Sequence, residues 1–95
     1  MNMTVTERAG KWFEEEMGVH KGDAVQFFVR YGGDANFQSG FSLAVALKKP
    51  DEPALMTEMN GITFYVEQKD SWYFDNTDFT VDYDDDIGEI RYLHG

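Results

Sequence analysis

Arg30-Tyr31-Gly32-Gly33-Asp34-Ala35-Asn36-Phe37-Gln38-Ser39-Gly40-Phe41-Ser42 is the stretch around which the chain is organised. Its three glycines separate two segments of regular alternation. Upstream, Ala24 to Tyr31 places Val25, Phe27, Val29 and Tyr31 on one face and Gln26, Phe28 and Arg30 on the other. Downstream, Phe41, Leu43, Val45 and Leu47 alternate with Ser42, Ala44 and Ala46. A period of two is the mark of a strand with one face toward a core. Phe28 implies that the polar face of the first strand is partly covered. The small residues of the second strand imply that something packs closely over them.

Beyond these strands, Lys48-Lys49-Pro50-Asp51-Glu52-Pro53 reads as a polar loop that its two prolines keep out of a sheet. Leu55 to Met59 and Ile62 to Val66 flank Asn60-Gly61. Asn-Gly supplies both positive φ angles of a type I′ turn, so this is a hairpin. Asp70-Ser71 is read as the cap of one helical turn carrying Trp72, Tyr73 and Phe74, ended by Asp75-Asn76. Asp78 to Tyr83 alternates with Phe79, Val81 and Tyr83 inward. Asp84-Asp85-Asp86 with Gly88 forms an acidic turn, and Glu89 to Leu93 is a last strand with Ile90 and Tyr92 on one face.

Before the central stretch, Ala9, Trp12, Phe13 and Met17 recur at helical spacing, with Glu14, Glu15 and Glu16 largely off that face. Thr4 with Glu7 makes a capping box; Thr6 is the competing N-cap and leaves Met3 to Val5 free to pair as a strand. Gly18 suits the left-handed stop of the helix, and Lys21-Gly22-Asp23 is a turn. One helix followed by about six short strands is an α+β fold, a small mainly antiparallel β domain with one N-terminal helix, occupying residues 1–95 as a single domain.

With 42% hydrophobic and 16% aromatic residues, 95 residues can build a dense core. A net charge of −10 opposes nucleic acid and anionic membranes as partners. No cysteine is present, which excludes disulfides, thiolate catalysis and thiolate-held metal centres. No signal peptide and no run of about 20 apolar residues is found, and the expected location is cytoplasmic.

The order of motifs resembles the HesB/IscA-like family, the A-type iron–sulfur carrier proteins. Met3-Thr4-Val5-Thr6 is similar to the family's strand-then-cap opening, which favours Thr6 as the N-cap. The resemblance continues through Val29-Arg30-Tyr31-Gly32-Gly33, Phe37, Gly40-Phe41-Ser42-Leu43, the Asn60-Gly61 hairpin, the Asp70 to Asp75 turn, and Asp82-Tyr83 with Gly88. In the family a cysteine follows the glycine pair, and a Cys-Gly-Cys motif lies in a C-terminal tail. Here the first place holds Asp34, or Ala35 if the alignment slips by one, and the other two thiolates are missing. The resemblance therefore implies the fold, an association with iron–sulfur cluster biogenesis and a tendency to homodimerise, but not cluster carriage. This sequence looks most like the small cysteine-free relatives within the wider group.

The candidate partner or ligand loop comprises Arg30, Gly32, Gly33, Asp34, Asn36, Gln38 and Ser39. Asp34 on a glycine-flanked loop could bind a hard cation or a basic group, although turn aspartates are common. Asp82, Asp84 and Asp86 imitate the start of a calcium loop, but the sixth and twelfth positions hold Ile87 and Leu93 where glycine and glutamate are needed. His20 and His94 are the two histidines, and no Gly-x-Ser-x-Gly elbow is present. The expectation is a non-enzymatic binding or scaffold module without a cofactor, meeting a protein partner or a second copy of itself. The alternative is an oxygen-ligand cation-binding protein using Asp34 or the Asp82–Asp86 cluster.

Overall fold

A computed structural model of the chain describes residues 2–32, 41–74 and 77–94. The elements in order are β1 (Met3–Val5), α1 (Glu7–Met17), β2 (Ala24–Tyr31), β3 (Phe41–Leu47), β4 (Pro53–Met59), β5 (Ile62–Glu67), a 3-10 helix (Gln68–Phe74), β6 (Phe79–Asp84) and β7 (Glu89–His94). They build two sheets, one of three strands in the order β1-β6-β7 and one of four in the order β3-β2-β5-β4. The expected α+β class, with strands following an N-terminal helix, is what the structure has. Three antiparallel pairings, β2–β3, β4–β5 and β6–β7, dominate. Two pairings are parallel, β1 with β6 and β2 with β5, and both join strands far apart in the chain.

Thr6 is the N-cap: its hydroxyl accepts the Ala9 N–H at 3.3 Å, and its own backbone N–H donates to the Val81 carbonyl at 2.9 Å. The cap and the strand β1 therefore lock the helix start to β6. Gly18 at φ 67° ends α1 in the left-handed conformation that glycine adopts without steric penalty. The helix buries Ala9, Gly10 and Phe13, and Gly10 is small because the Met59 side chain lies over it.

Phe27 sits at the middle of the core. Its ring meets Phe13 of α1 at 5.8 Å, Phe64 of β5 at 6.2 Å, and Phe79 and Tyr92 of the other sheet at 6.0 and 5.9 Å. Phe13, Phe27, Phe64 and Phe79 are all fully buried. The two sheets and the helix thus share one aromatic cluster, whose edge-to-face pairs suit the ring quadrupoles.

Asn60 (φ 54°) and Gly61 (φ 78°) both take the positive φ of a type I′ turn, as the Asn-Gly pair predicts. Four local readings need correction. Pro53 is the first residue of β4, opposite Glu67, and a bulge follows it before Leu55; the first position of a strand tolerates a missing N–H. Tyr31 belongs to the inward set of β2 by alternation but is 86% exposed, because β2 runs past the core there. Asp70 does not cap a helical turn: the 3-10 helix already begins at Gln68, and Asp70 lies buried within it. The strand expected from Asp78 starts at Phe79, and Asp78 instead accepts the Asn2 N–H at 3.0 Å. The expected stop at Asp75-Asn76 lies outside the described residues.

Candidate functional site

Sequence pointed first to the loop between β2 and β3. The register holds to its base, where Arg30 faces Ser42 and Tyr31 faces Phe41. Gly32 follows at φ 91°, which allows the chain to leave the strand. Arg30 is exposed, while Ser42 opposite it is buried. Gly33, Asp34, Asn36, Gln38 and Ser39 lie outside the described residues.

A second carboxylate sits beneath this hairpin. β5 pairs with β2 only as far as Gln26, so the backbone of β2 beyond it has a free edge. The Val29 N–H donates to Asp70 there. Among the described residues, Asp70 Oδ2 has no hydrogen-bond partner. Burial pushes the Asp70 carboxyl up, and the Val29 N–H offsets this in part.

The acidic cluster is built quite differently. Asp82 on β6 accepts Arg8 Nε and Nη2, each at 2.8 Å, the Thr6 hydroxyl at 2.7 Å and the Tyr83 N–H at 2.8 Å. The Arg8 guanidinium, then Thr6 and Tyr83, hold its carboxyl well below the usual carboxylate range. Bidentate pairing of this kind is geometrically specific. Asp85 approaches Arg8 at 3.3 Å, and Asp84 lies 3.5 Å from Arg91. The Asp86 N–H turns back onto Asp84 Oδ1 at 2.9 Å. The cluster is a latch between α1 and the β6–β7 hairpin. Among the described residues, no group of three or more His, Cys, Asp or Glu is arranged to hold a metal ion.

Two other polar residues, not singled out by sequence, are buried. Glu67 at the end of β5 accepts the Asp51 N–H at 3.0 Å and the Glu52 N–H at 2.7 Å, which keeps its carboxyl low. It thereby ties the proline-bearing loop onto the sheet. Gln26 on β2 is the other, 5% exposed. The available signal was alternation: Gln26 and Glu67 both fall on the face opposite Phe27 and Phe64. Of the histidines, His20 is exposed beside Asp23, whose Oδ2 accepts the His20 N–H at 2.9 Å, and His94 pairs through its backbone with Phe79.

The family described as iron-sulphur cluster biosynthesis matches residues 1–91. The chain belongs to the iron–sulphur cluster biosynthesis family. Its fold is that of SufA of Escherichia coli, a protein of known structure described as involved in biosynthesis of iron–sulfur clusters: the two superpose with a TM-score of 0.63 at 18% identity, covering 99% of this chain and 86% of SufA. A family relative in Bacillus subtilis (strain 168), named pyruvate dehydrogenase inhibitor, is 52% identical over 89 residues, 94% of each chain. Another, from Staphylococcus saprophyticus, is 37% identical over 95 residues, 97% of each chain. Against the chemistry in the family's description, this member has no cysteine at all. Its donor set does not fit a thiolate-held cluster. Among the described residues, no helix is long and apolar enough to cross a membrane.

Proposed function

We propose that this chain is a non-enzymatic binding protein that acts on a protein partner, and that the partner is pyruvate dehydrogenase, which it inhibits by association. The observation that carries the reading is the 52% identity, over 94% of both chains, to the Bacillus subtilis relative named for that inhibition. The absence of cysteine supports it from the other side, since the chain has the family fold without thiolate ligands. The exposed base of the β2–β3 loop, with Arg30 and Tyr31, is a contact surface of the required kind. The protein acts in the cytoplasm, as a homodimer, and its link to iron–sulfur metabolism is one of descent. A net charge of −10 directs it to a basic surface on the partner. The cation-binding alternative gains no support from Asp82, whose carboxylate already holds Arg8 and Thr6.

The test titrates the purified chain into purified pyruvate dehydrogenase complex from the same host and follows NADH formation. Saturable inhibition, weakening as salt is raised, is the expected result. Native mass spectrometry of the anaerobically purified protein runs beside it and should show subunits without metal. Unchanged dehydrogenase activity with no complex detected at micromolar concentrations would overturn the reading. A stoichiometric metal would replace it with the oxygen-ligand cation-binding reading.

A further inference from the structure

On the face of the four-stranded sheet opposite Phe27 lies a cavity of about 230 Å³. It opens between residues 48–52 and the start of the 3-10 helix, and its lining includes Gln26, Lys48, Asp51, Glu52, Glu67 and Lys69. Its position follows from the register. Gln26 stands between Ala46 on β3 and Tyr65 on β5, and the small alanine leaves space above the amide. Tyr65 is fully buried and donates its hydroxyl to the Lys48 carbonyl. The Gln68 N–H donates to the Glu52 carbonyl at 2.8 Å, and Glu67 holds the N–H groups of Asp51 and Glu52. The wall is therefore fixed by main-chain and buried side-chain bonds rather than by loose surface groups.

The floor carries a buried polar group. Gln26 is 95% buried, and its side chain lines this cavity. An amide offers two donors and one acceptor, and native structures rarely leave these unmatched. Here they line the cavity.

The charges around it decide what fits. Lys48 and Lys69 both act on the Glu67 carboxylate, although neither forms an ion pair among the described residues. Asp51 and Glu52 are exposed on the same rim. A simple anion would meet three carboxylates and a chain of net charge −10. A simple cation would meet two ammonium groups. A molecule carrying both charges a few ångströms apart meets an opposite pole at each end. We propose that this cavity binds a small zwitterion of the amino-acid class, its carboxylate toward Lys48 and Lys69, its ammonium toward Asp51 and Glu52, and Gln26 bonding to it from below. The volume equals that of roughly seven or eight liquid waters, enough for an amino acid with a short side chain. This site does not depend on the pyruvate dehydrogenase reading.

The experiment follows the side-chain NH2 resonances of Gln26 in ¹H–¹⁵N spectra of the full chain at pH 7. L-alanine, L-serine and L-glutamate are each titrated, with sodium acetate and methylamine hydrochloride as the separated halves. At least one amino acid should shift these resonances saturably below about 10 mM, an affinity ordinary for a ligand of this size. Each half should bind at least tenfold more weakly. Lys69→Met, at an exposed position, should weaken the amino acid at least fivefold with an otherwise unchanged spectrum, and Gln26→Leu, followed through the backbone amide resonances of Lys48 and Gln68, should abolish binding. No shift with any of the three amino acids would overturn the proposal. Acetate or methylamine binding as well as the amino acid would overturn it too, as would Lys69→Met binding undiminished.

Discussion

Phe27→Ala is the perturbation that tests how this fold is held. The ring touches the helix, its own sheet and the opposite sheet through four aromatic neighbours. Truncating a fully buried phenylalanine costs about 3–5 kcal/mol, transfer and cavity terms together. A domain of 95 residues has a total stability of about 5–14 kcal/mol. The substitution therefore removes a large share of it and lowers Tm by at least about 12 °C. Phe27→Leu keeps most of the apolar volume but loses the ring contacts. At about 0.5 kcal/mol for each of four contacts it costs about 2 kcal/mol. Urea unfolding followed by both far-ultraviolet dichroism and tryptophan fluorescence measures both variants. Coincident transitions with Phe27→Ala far below Phe27→Leu are expected. A cost under about 1 kcal/mol for Phe27→Ala would refute the reasoning, since the sheets would then be held together elsewhere.

Three further outcomes are expected. Asp82 has a depressed carboxyl in the folded chain and an ordinary one when unfolded, so its stabilisation is present above about pH 4 and is lost as pH falls through the folded value. Asp82→Asn should cost about 1 kcal/mol at pH 7, discounted because Arg8 is half exposed, and should flatten the loss of urea resistance between pH 4 and pH 2. Asp70 has the opposite sign: burial raises its carboxyl, so ionisation opposes folding as pH rises, and Asp70→Asn should gain about 1 kcal/mol at pH 7 and nothing at pH 3 by the same urea measurement. Gly61→Ala should cost about 1–2 kcal/mol in thermal unfolding, because φ is 78° there and the new Cβ would lie 2.6 Å from Lys21 Cγ.

The hairpin turn, the helix and the inward faces of β2 and β6 were legible in the sequence because each is written in local chemistry, whereas Thr6 was favoured over Thr4 as the cap by the family resemblance. Asn60-Gly61 needs no distant partner to declare itself, and Val25, Phe27 and Val29 show their side by period alone. The parallel pairings of β1 with β6 and β2 with β5 carry no local mark, since nothing near Met3 names Phe79 as its neighbour. The same limit governs the sites. Asp82 read as one of a run of surface acids because its partner, Arg8, lies 74 positions away in the chain. Asp70 read as a cap because Asp-Ser before an aromatic run looks like one, whereas the free edge of β2 is what claims it. Gln26 was placed on the correct face of its strand, but its burial depends on a loop that Glu67 ties down from another strand. Family resemblance reached further than these local rules. The order of weak motifs implied the HesB/IscA-like fold and the missing thiolates together.

The pairing of Met3–Val5 with Phe79–Val81 has a consequence for how the chain is made. β1 leaves the ribosome well before β6, the strand that it pairs with. Until then the three-stranded sheet does not exist, and α1 cannot be latched to Asp82. The four-stranded sheet is complete by Glu67, and without β6 and β7 the side of Phe27 that meets Phe79 and Tyr92 is bare. A nascent chain arrested before β6 therefore exposes apolar surface and is a substrate for chaperones or proteases.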